Sequence, residues 1–183
     1  MTDQLPAEML RIALMRERDL PAYKALRDAA LADDPSAFTS DARSEALKPP
    51  EAYRVRLGLD DPRRANYTLV ARLRDAMAGD RIVGAVSCES DSRIKVQHIG
   101  HLIGMMVRRD AQGRGIGRAL LQACIEQARR ADGLEMLTLT VTAENASAVR
   151  LYAGAGFERA GSLAHGIKVD GRYYTKDTMV MRL

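Results

Sequence analysis

Between a long uncharged stretch and an amphipathic segment, the chain places Gln112-Gly113-Arg114-Gly115-Ile116-Gly117. Glycines at alternate positions let the backbone turn in ways closed to other residues and approach a ligand closely. Upstream, His98 to Arg108 has no charged residue after Gln97 until Arg108 and reads as a long apolar strand. Downstream, Ile116, Ala119, Leu120, Ala123, Cys124 and Ala128 form one stripe on a helix of about 15 residues. A strand that enters a helix through such a loop aims the helix's unpaired N–H groups outward. Those donors, with about half a positive charge from the helix dipole, form an anion site. Arg114 and Arg118 can add charge. A glycine-rich turn that only starts a helix would look the same, so the loop alone leaves both readings open. A dinucleotide loop starting at Gly113 would need a glycine where Arg118 stands. No Gly-Lys-Ser/Thr follows, so a Walker loop is excluded.

The rest of the chain reads as one continuous domain over residues 1–183, without repeats or low-complexity tracts. Leu10–Arg16 is a first strand. Asp19 caps a helix beginning near Leu20-Pro21 and burying Leu20, Tyr23, Leu26, Ala30 and Leu31. Residues 35–48 are loop-like, and Pro49-Pro50 opens a second helix to Leu59. Tyr67–Leu73 and Arg81–Glu89 pair as a hairpin across a turn at 75–80. Met136–Thr142 is a β-branched strand, and Asn145–Ala155 is a short helix. Phe157–Ser162 and Tyr174–Leu183 close the chain around a turn at Asp170-Gly171. This order predicts a three-layer α/β fold, with a mixed, mostly antiparallel sheet of about seven strands and helices on both faces. The long strand and Met136–Thr142 are the expected parallel pair, since a helix links them.

Composition narrows the function classes. With 183 residues the chain can fill one sizeable core. No apolar run reaches the ~18–20 residues of a membrane span, and Met1–Met15 lacks the pattern of a secretory signal. A cytoplasmic protein without a membrane partner is therefore expected. Cys88 and Cys124 sit in apolar-patterned segments and read as buried thiols, and no metal-ligand spacing occurs. The net charge is +4, but the arginines are scattered and aromatics are only 4%, so nucleic acid is not an expected partner.

Gln112-x-x-Gly115-x-Gly117 resembles the R/Q-x-x-G-x-G/A signature of the GNAT acetyltransferase superfamily. Asn145-x-x-Ala148-x-x-Leu151-Tyr152, then Gly156-Phe157, resembles a second segment of the same family. The two motifs occur in the family's order, and the resemblance covers roughly residues 8–183. It implies a GNAT-type N-acetyltransferase that uses acetyl-CoA and an amine acceptor. The backbone of Met105, Met106 and Val107 would pair with the pantetheine arm. The N–H groups of Gln112, Gly113, Arg114, Gly115, Ile116 and Gly117 would hold the pyrophosphate, with Arg118 nearby. In the family the long strand bulges away from its parallel neighbour, and an N–H near Met106 would stabilise the thioester oxyanion.

The remaining roles follow from the chemistry and the resemblance together. An alkylamine, of pKa about 10, attacks only when neutral, so a proton must leave. The resemblance makes Tyr152 the general acid for the departing thiolate; an aromatic on a buried helix face is the plain alternative. Asn145 would cap its helix and touch the cofactor arm. Many family members carry a glutamate where this chain has His101, and an imidazole can accept a proton near neutral pH. His101 is thus the candidate base, or a surface histidine. His165 reads as surface. The acidic residues Asp33, Asp34, Asp41 and Glu45 could form a patch receptive to a cationic acceptor. Homodimers are common in the family. A non-catalytic acyl-CoA-binding module of the same fold is the competing reading.

Overall fold

The computed structural model describes residues 10–59, 61–75 and 79–183. The strands are β1 (Leu10–Leu14), β2 (Tyr67–Asp75), β3 (Gly79–Ser90), β4 (Ile99–Val107), β5 (Met136–Thr142), β6 (Glu158–Val169) and β7 (Arg172–Arg182). They form a 7-stranded open sheet in the order β1-β2-β3-β4-β5-β7-β6. Every neighbouring pair is antiparallel except β4 and β5. The α-helices are α1 (Leu20–Asp33), α2 (Ala42–Ala46), α3 (Ile116–Arg129) and α4 (Ala146–Gly154). Since α3 links β4 to β5, the parallel pair is the one expected of a helical crossover.

The apolar stripe of α3 dictates its docking. Ile116, Leu120, Leu121, Cys124, Ile125 and Ala128 are buried. They share a core with Val83, Val86 and Cys88 of β3, Leu137 and Leu139 of β5, and Tyr152 of α4. Each large aliphatic side chain contributes roughly 1.5–3 kcal/mol by leaving water. Gly84 of β3 lets the helix come close, because a Cβ there would lie 2.8 Å from a Leu120 methyl. On the other face α1 buries Leu20, Tyr23 and Leu26 with Val70, Ala85, Met106, Tyr53 and Leu57. Helices on both faces of a mostly antiparallel sheet give the expected three-layer α/β fold. Both cysteines are buried and free.

Several elements depart from the sequence reading. Residues Pro50–Leu57 form a 3₁₀ segment rather than an α-helix. The stretch read as loop holds a 3₁₀ turn at Pro35–Ala37 and the short α2. Asp41 caps α2 by accepting the Ser44 N–H at 2.8 Å. Asp19 stands at the cap position of α1, as expected, but its side chain makes no bond to the helix. Its carboxylate accepts the Arg16 N–H at 2.8 Å and pairs with Arg72 at 2.6 Å, because a 3₁₀ turn at Glu17–Asp19 already leads into the helix. β6 continues past Ser162 to Val169. A register shift between Leu163 and Ile167 takes up His165, at φ 58° and exposed, so its polar surroundings do not end the strand. Pairing of β2 with β3 extends to Asp75 opposite Gly79, and positions 76–78 of the expected turn lie outside the described residues.

Candidate active site

The site begins with a defect in β4. Ala85 of β3 stands opposite Met106, and Ser87 opposite Ile103. One β3 residue, Val86, therefore faces two of β4, Gly104 and Met105, which is a β-bulge. Gly104 sits at φ +60°, a conformation that side-chain-bearing residues seldom adopt. Parallel pairing with β5 ends at Leu102 opposite Leu139. Beyond it β5 stays with β7 as far as Thr142 opposite Lys176. The sheet thus forks, and from Ile103 to Val107 the edge of β4 toward β5 is unpaired. Main-chain donors and acceptors are left there for an extended ligand.

At the end of β4 the glycine loop enters α3. Gly113 and Gly115 lie at φ +77° and +78°, and Gly115 is the residue that opens the helix. After Gln112 the next amide with a backbone acceptor outside the regular elements is that of Ala119, which donates to Gly115 O at 3.0 Å. The intervening N–H groups have no backbone acceptor and are left to serve a ligand. Gln112 braces the loop, its Nε2 donating to Val107 O at 3.1 Å. Ile116 and Met106 put their side chains into the two cores, leaving only main chain for a ligand. Arg114 and Arg118 are exposed and do not line the adjoining groove. That groove, of about 360 Å³, is bordered by Met105, Val107, Gln112, Gly113, Gly115 and Asn145. Asn145 caps α4, its Oδ1 accepting the Ala148 N–H at 3.1 Å. It is thus the expected helix cap, and it also borders the groove.

A cavity of about 210 Å³ occupies the fork, with Gly104, Met105, Thr140 and Tyr152 among its walls. Tyr152 is 8% exposed, and its ring meets Phe157 edge-on with centroids 6.1 Å apart. Burial, with a smaller contribution from Cys124, pushes its hydroxyl up to about 12, which keeps it protonated. His101 is not brought to Tyr152. It stands opposite Glu89 and Thr138, in the stretch where β4 is paired on both sides, and its exposed side chain is not part of the cavity wall. The physical reason is the fork, which opens only after Leu102.

The sequence reading passed over the opposite wall. There Arg27 of α1 is buried, its Nε donating to Glu45 Oε2 at 2.8 Å and its Nη2 to Ser40 Oγ at 2.9 Å. Tyr53 also donates to Glu45, at 2.7 Å, and Lys48 lies 2.5 Å from its other oxygen. Burial would raise the Glu45 carboxyl, but the bonds from Lys48, Tyr53 and Arg27 outweigh it and hold the group at about 2. Arg27, Arg56 and Lys176 all border the cavity, and among the described residues no carboxylate does. The expected acidic residues therefore do not gather at this cavity, although Asp34 borders the groove beside the glycine loop. Glu45 is buried and neutralised, and Asp41 is engaged as a cap. Arg27 carried one legible signal, a charge on the apolar stripe one helix turn after Tyr23. Arg56 and Lys176 carried none.

Residues 25–157 match the acetyltransferase (GNAT) family. The chain belongs to that family. Among curated GNAT relatives, the L-methionine sulfoximine/L-methionine sulfone acetyltransferase of Pseudomonas aeruginosa is 36% identical over 77 residues, 42% of this chain and 44% of that one. The chain thus spans less than half the length of the curated relatives it matches. A GNAT-family acetyltransferase from Streptococcus pneumoniae superposes with a TM-score of 0.83 and 28% identity, covering 95% of this chain and 99% of the other. A putative acetyltransferase from Salmonella typhimurium, solved with its cofactor acetyl-CoA, superposes at a TM-score of 0.74 and 20% identity, covering 94% and 93%. No helix among the described residues is long and apolar enough to cross a membrane.

Proposed function

We propose that this GNAT chain, read as one domain, transfers an acetyl group from acetyl-CoA to a primary amine by direct attack in a ternary complex. The observation that supports this best is the continuity of the path. Met105 borders both the groove beside the glycine loop and the cavity holding Tyr152. A diphosphate on the loop amides would leave a pantetheine arm along the unpaired edge of β4 and its thioester at the bulge. The amine nitrogen attacks the carbonyl carbon, and a main-chain N–H near Met106 meets the oxygen as it gains charge. The C–S bond then breaks, and the thiolate takes the Tyr152 proton. The amine's proton leaves through water. His101 is two residues along the strand from Ile103, which borders the cavity, so its part is that of a water-linked base.

The relative from Pseudomonas aeruginosa is named for acetylating two amino-acid derivatives, and from it we carry over only the primary amine. The test is thiol release from acetyl-CoA against a panel of amines. We expect amine-dependent release, and in Tyr152→Phe a fall in kcat of roughly 100-fold with the KM for acetyl-CoA within about twofold. Unchanged turnover in that variant removes Tyr152 as the acid. Coenzyme A binding without release for any amine would identify a non-catalytic binding module instead.

A further inference from the structure

Three donors converge on one point beside Gly104. A Cβ built on Gly104 would lie 3.7 Å from Arg56 Nη1, 3.8 Å from Arg27 Nη1 and 3.8 Å from the Tyr23 hydroxyl. The other nitrogens of Arg27 are committed to Glu45 and Ser40, which aims the remaining one at this point. Tyr23 is 0% exposed, and its hydroxyl has no hydrogen-bond partner among the described residues. A buried hydroxyl without a partner is uncommon, since losing water uncompensated is unfavourable. Arg56 is only loosely balanced, at 3.8 Å from a half-exposed Glu89. Arg27, already paired with Glu45 through its Nε, Arg56, loosely paired with Glu89, and the orphan hydroxyl thus bring three donors to one place beside Gly104.

We propose that Arg27, Arg56 and Tyr23 hold a carboxylate of the acceptor over Gly104, so that the substrates are amino acids or other amines bearing a carboxylate beside the nitrogen. This rests on the acetyl-transfer reading for the amine and adds the recognition of its neighbour. An anion over the bulge places a nitrogen on the adjacent carbon at the mouth of the fork, toward Thr140 and Tyr152. A cavity walled by Arg27, Arg56 and Lys176, with no carboxylate on its wall among the described residues, disfavours a bare ammonium ion. Polyamines and aminoglycosides, which bring only positive charge, are disfavoured. An amine carrying its own anion enters as a neutral pair, and the surrounding cations then ease loss of the ammonium proton.

The experiment compares the L-amino acids with their carboxamides, and with phosphoethanolamine, in the thiol-release assay. The proposal predicts a kcat/KM at least about 10–100-fold higher for the free acid of each accepted pair, the range set by hydrogen bonds to a charged group. Equal or better use of the carboxamides overturns it, and equal use of phosphoethanolamine overturns the carboxylate assignment. Tyr23→Phe should raise the acceptor KM by roughly 10-fold while leaving that of acetyl-CoA unchanged. The same variant should raise the Tm of the ligand-free protein by about 2–4 °C, as an unpartnered buried hydroxyl is removed. A merely structural tyrosine would leave the acceptor KM alone. Arg56→Gln should equalise acid and amide; retained discrimination in both variants contradicts the site. Should no amine be acetylated at all, the transfer reading fails separately. The site is then decided by titrating amino acids while following the Arg27 and Arg56 guanidinium resonances. Shifts with acids and not with carboxamides sustain it, and no shift with any carboxylate refutes it.

Discussion

Tyr152 owes its chemistry to where α4 packs it. Edge-on against Phe157 and beside the α3 core, its hydroxyl is held at about 12, so it stays a proton donor throughout the working range. Proton transfer from it to a thiolate whose conjugate acid has pKa about 8.5 is uphill, so the proton moves only as negative charge builds on the departing sulfur, and ground-state groups near neutrality leave it untouched. The pH profile follows from the sign. The raised value keeps the acidic form present below it and loses it only as pH climbs through about 12. Activity should therefore rise with pH as the amine deprotonates and show no falling limb through about pH 10. A measured fall between pH 8 and 10, absent in Tyr152→Phe, would assign that limb to this tyrosine and contradict the packing argument. His101, outside the cavity, should matter far less. His101→Ala is expected to lower kcat by under about fivefold at pH 8, against the roughly 100-fold for Tyr152→Phe. A comparable loss for both would place His101 in direct contact with the amine. The sequence exposed Tyr152, Asn145 and the loop because those positions belong to short motifs whose work is local. Of Tyr23, Arg27 and Arg56 it showed only a buried aromatic and a charge on an apolar stripe, not that they meet. Their donors meet only once α1 and the Pro50–Leu57 segment are packed over a bulge that lies 48 positions beyond Arg56 and 77 beyond Arg27.

Two elements carry most of the site, and their sequences differ in how openly they declare it. The loop into α3 is written in glycines and in the apolar stripe behind them. A Cβ on Gly115 would meet no protein atom within 4 Å, so a substitution there acts through backbone strain and through the ligand's own space. Gly115→Val should keep the fold, cost roughly 1–3 kcal/mol of stability, and abolish binding of acetyl-CoA. Retained binding in a folded variant would show that the loop amides are not the cradle. The α2 region is the contrary case. Five polar-patterned residues make no periodic signal, and what holds α2 in place is tertiary: Glu45 reaching Arg27 and Tyr53. Residues 35–48 therefore read as loop, although Ala37, Phe38, Thr39 and Ser40 border the cavity. Removing the anchor tests this. Glu45→Ala leaves the Arg27 guanidinium buried without its anion and should destabilise the protein by about 3–5 kcal/mol. A loss below about 1 kcal/mol, measured by denaturant unfolding, would mean that the pair contributes little. In the parent protein the depressed carboxyl at about 2 gives the matching pH dependence. Its contribution is complete above the unfolded value of about 4.3 and disappears as pH falls toward 2.

At the scale of the molecule, function comes from an interruption of an otherwise regular sheet. Strand alternation and the α3 crossover made the architecture readable, because burial on one face fixes register and a helical link fixes parallel pairing. The fork between β4 and β5 was legible only through the family resemblance, since nothing in the residues of a strand announces where its neighbour departs. That single feature creates a free backbone edge, a bulge glycine, a cavity reaching Tyr152, and a helix start at its far end. The account then requires one ligand to span them all, with its diphosphate as the anchor. Isothermal titration calorimetry with acetyl-CoA and with acetyl-pantetheine, which lacks the diphosphate, tests this most directly. The prediction is saturable binding of acetyl-CoA in the micromolar range and affinity for acetyl-pantetheine weaker by roughly 100-fold or more. Equal affinity for the two, or no heat with acetyl-CoA, would contradict it.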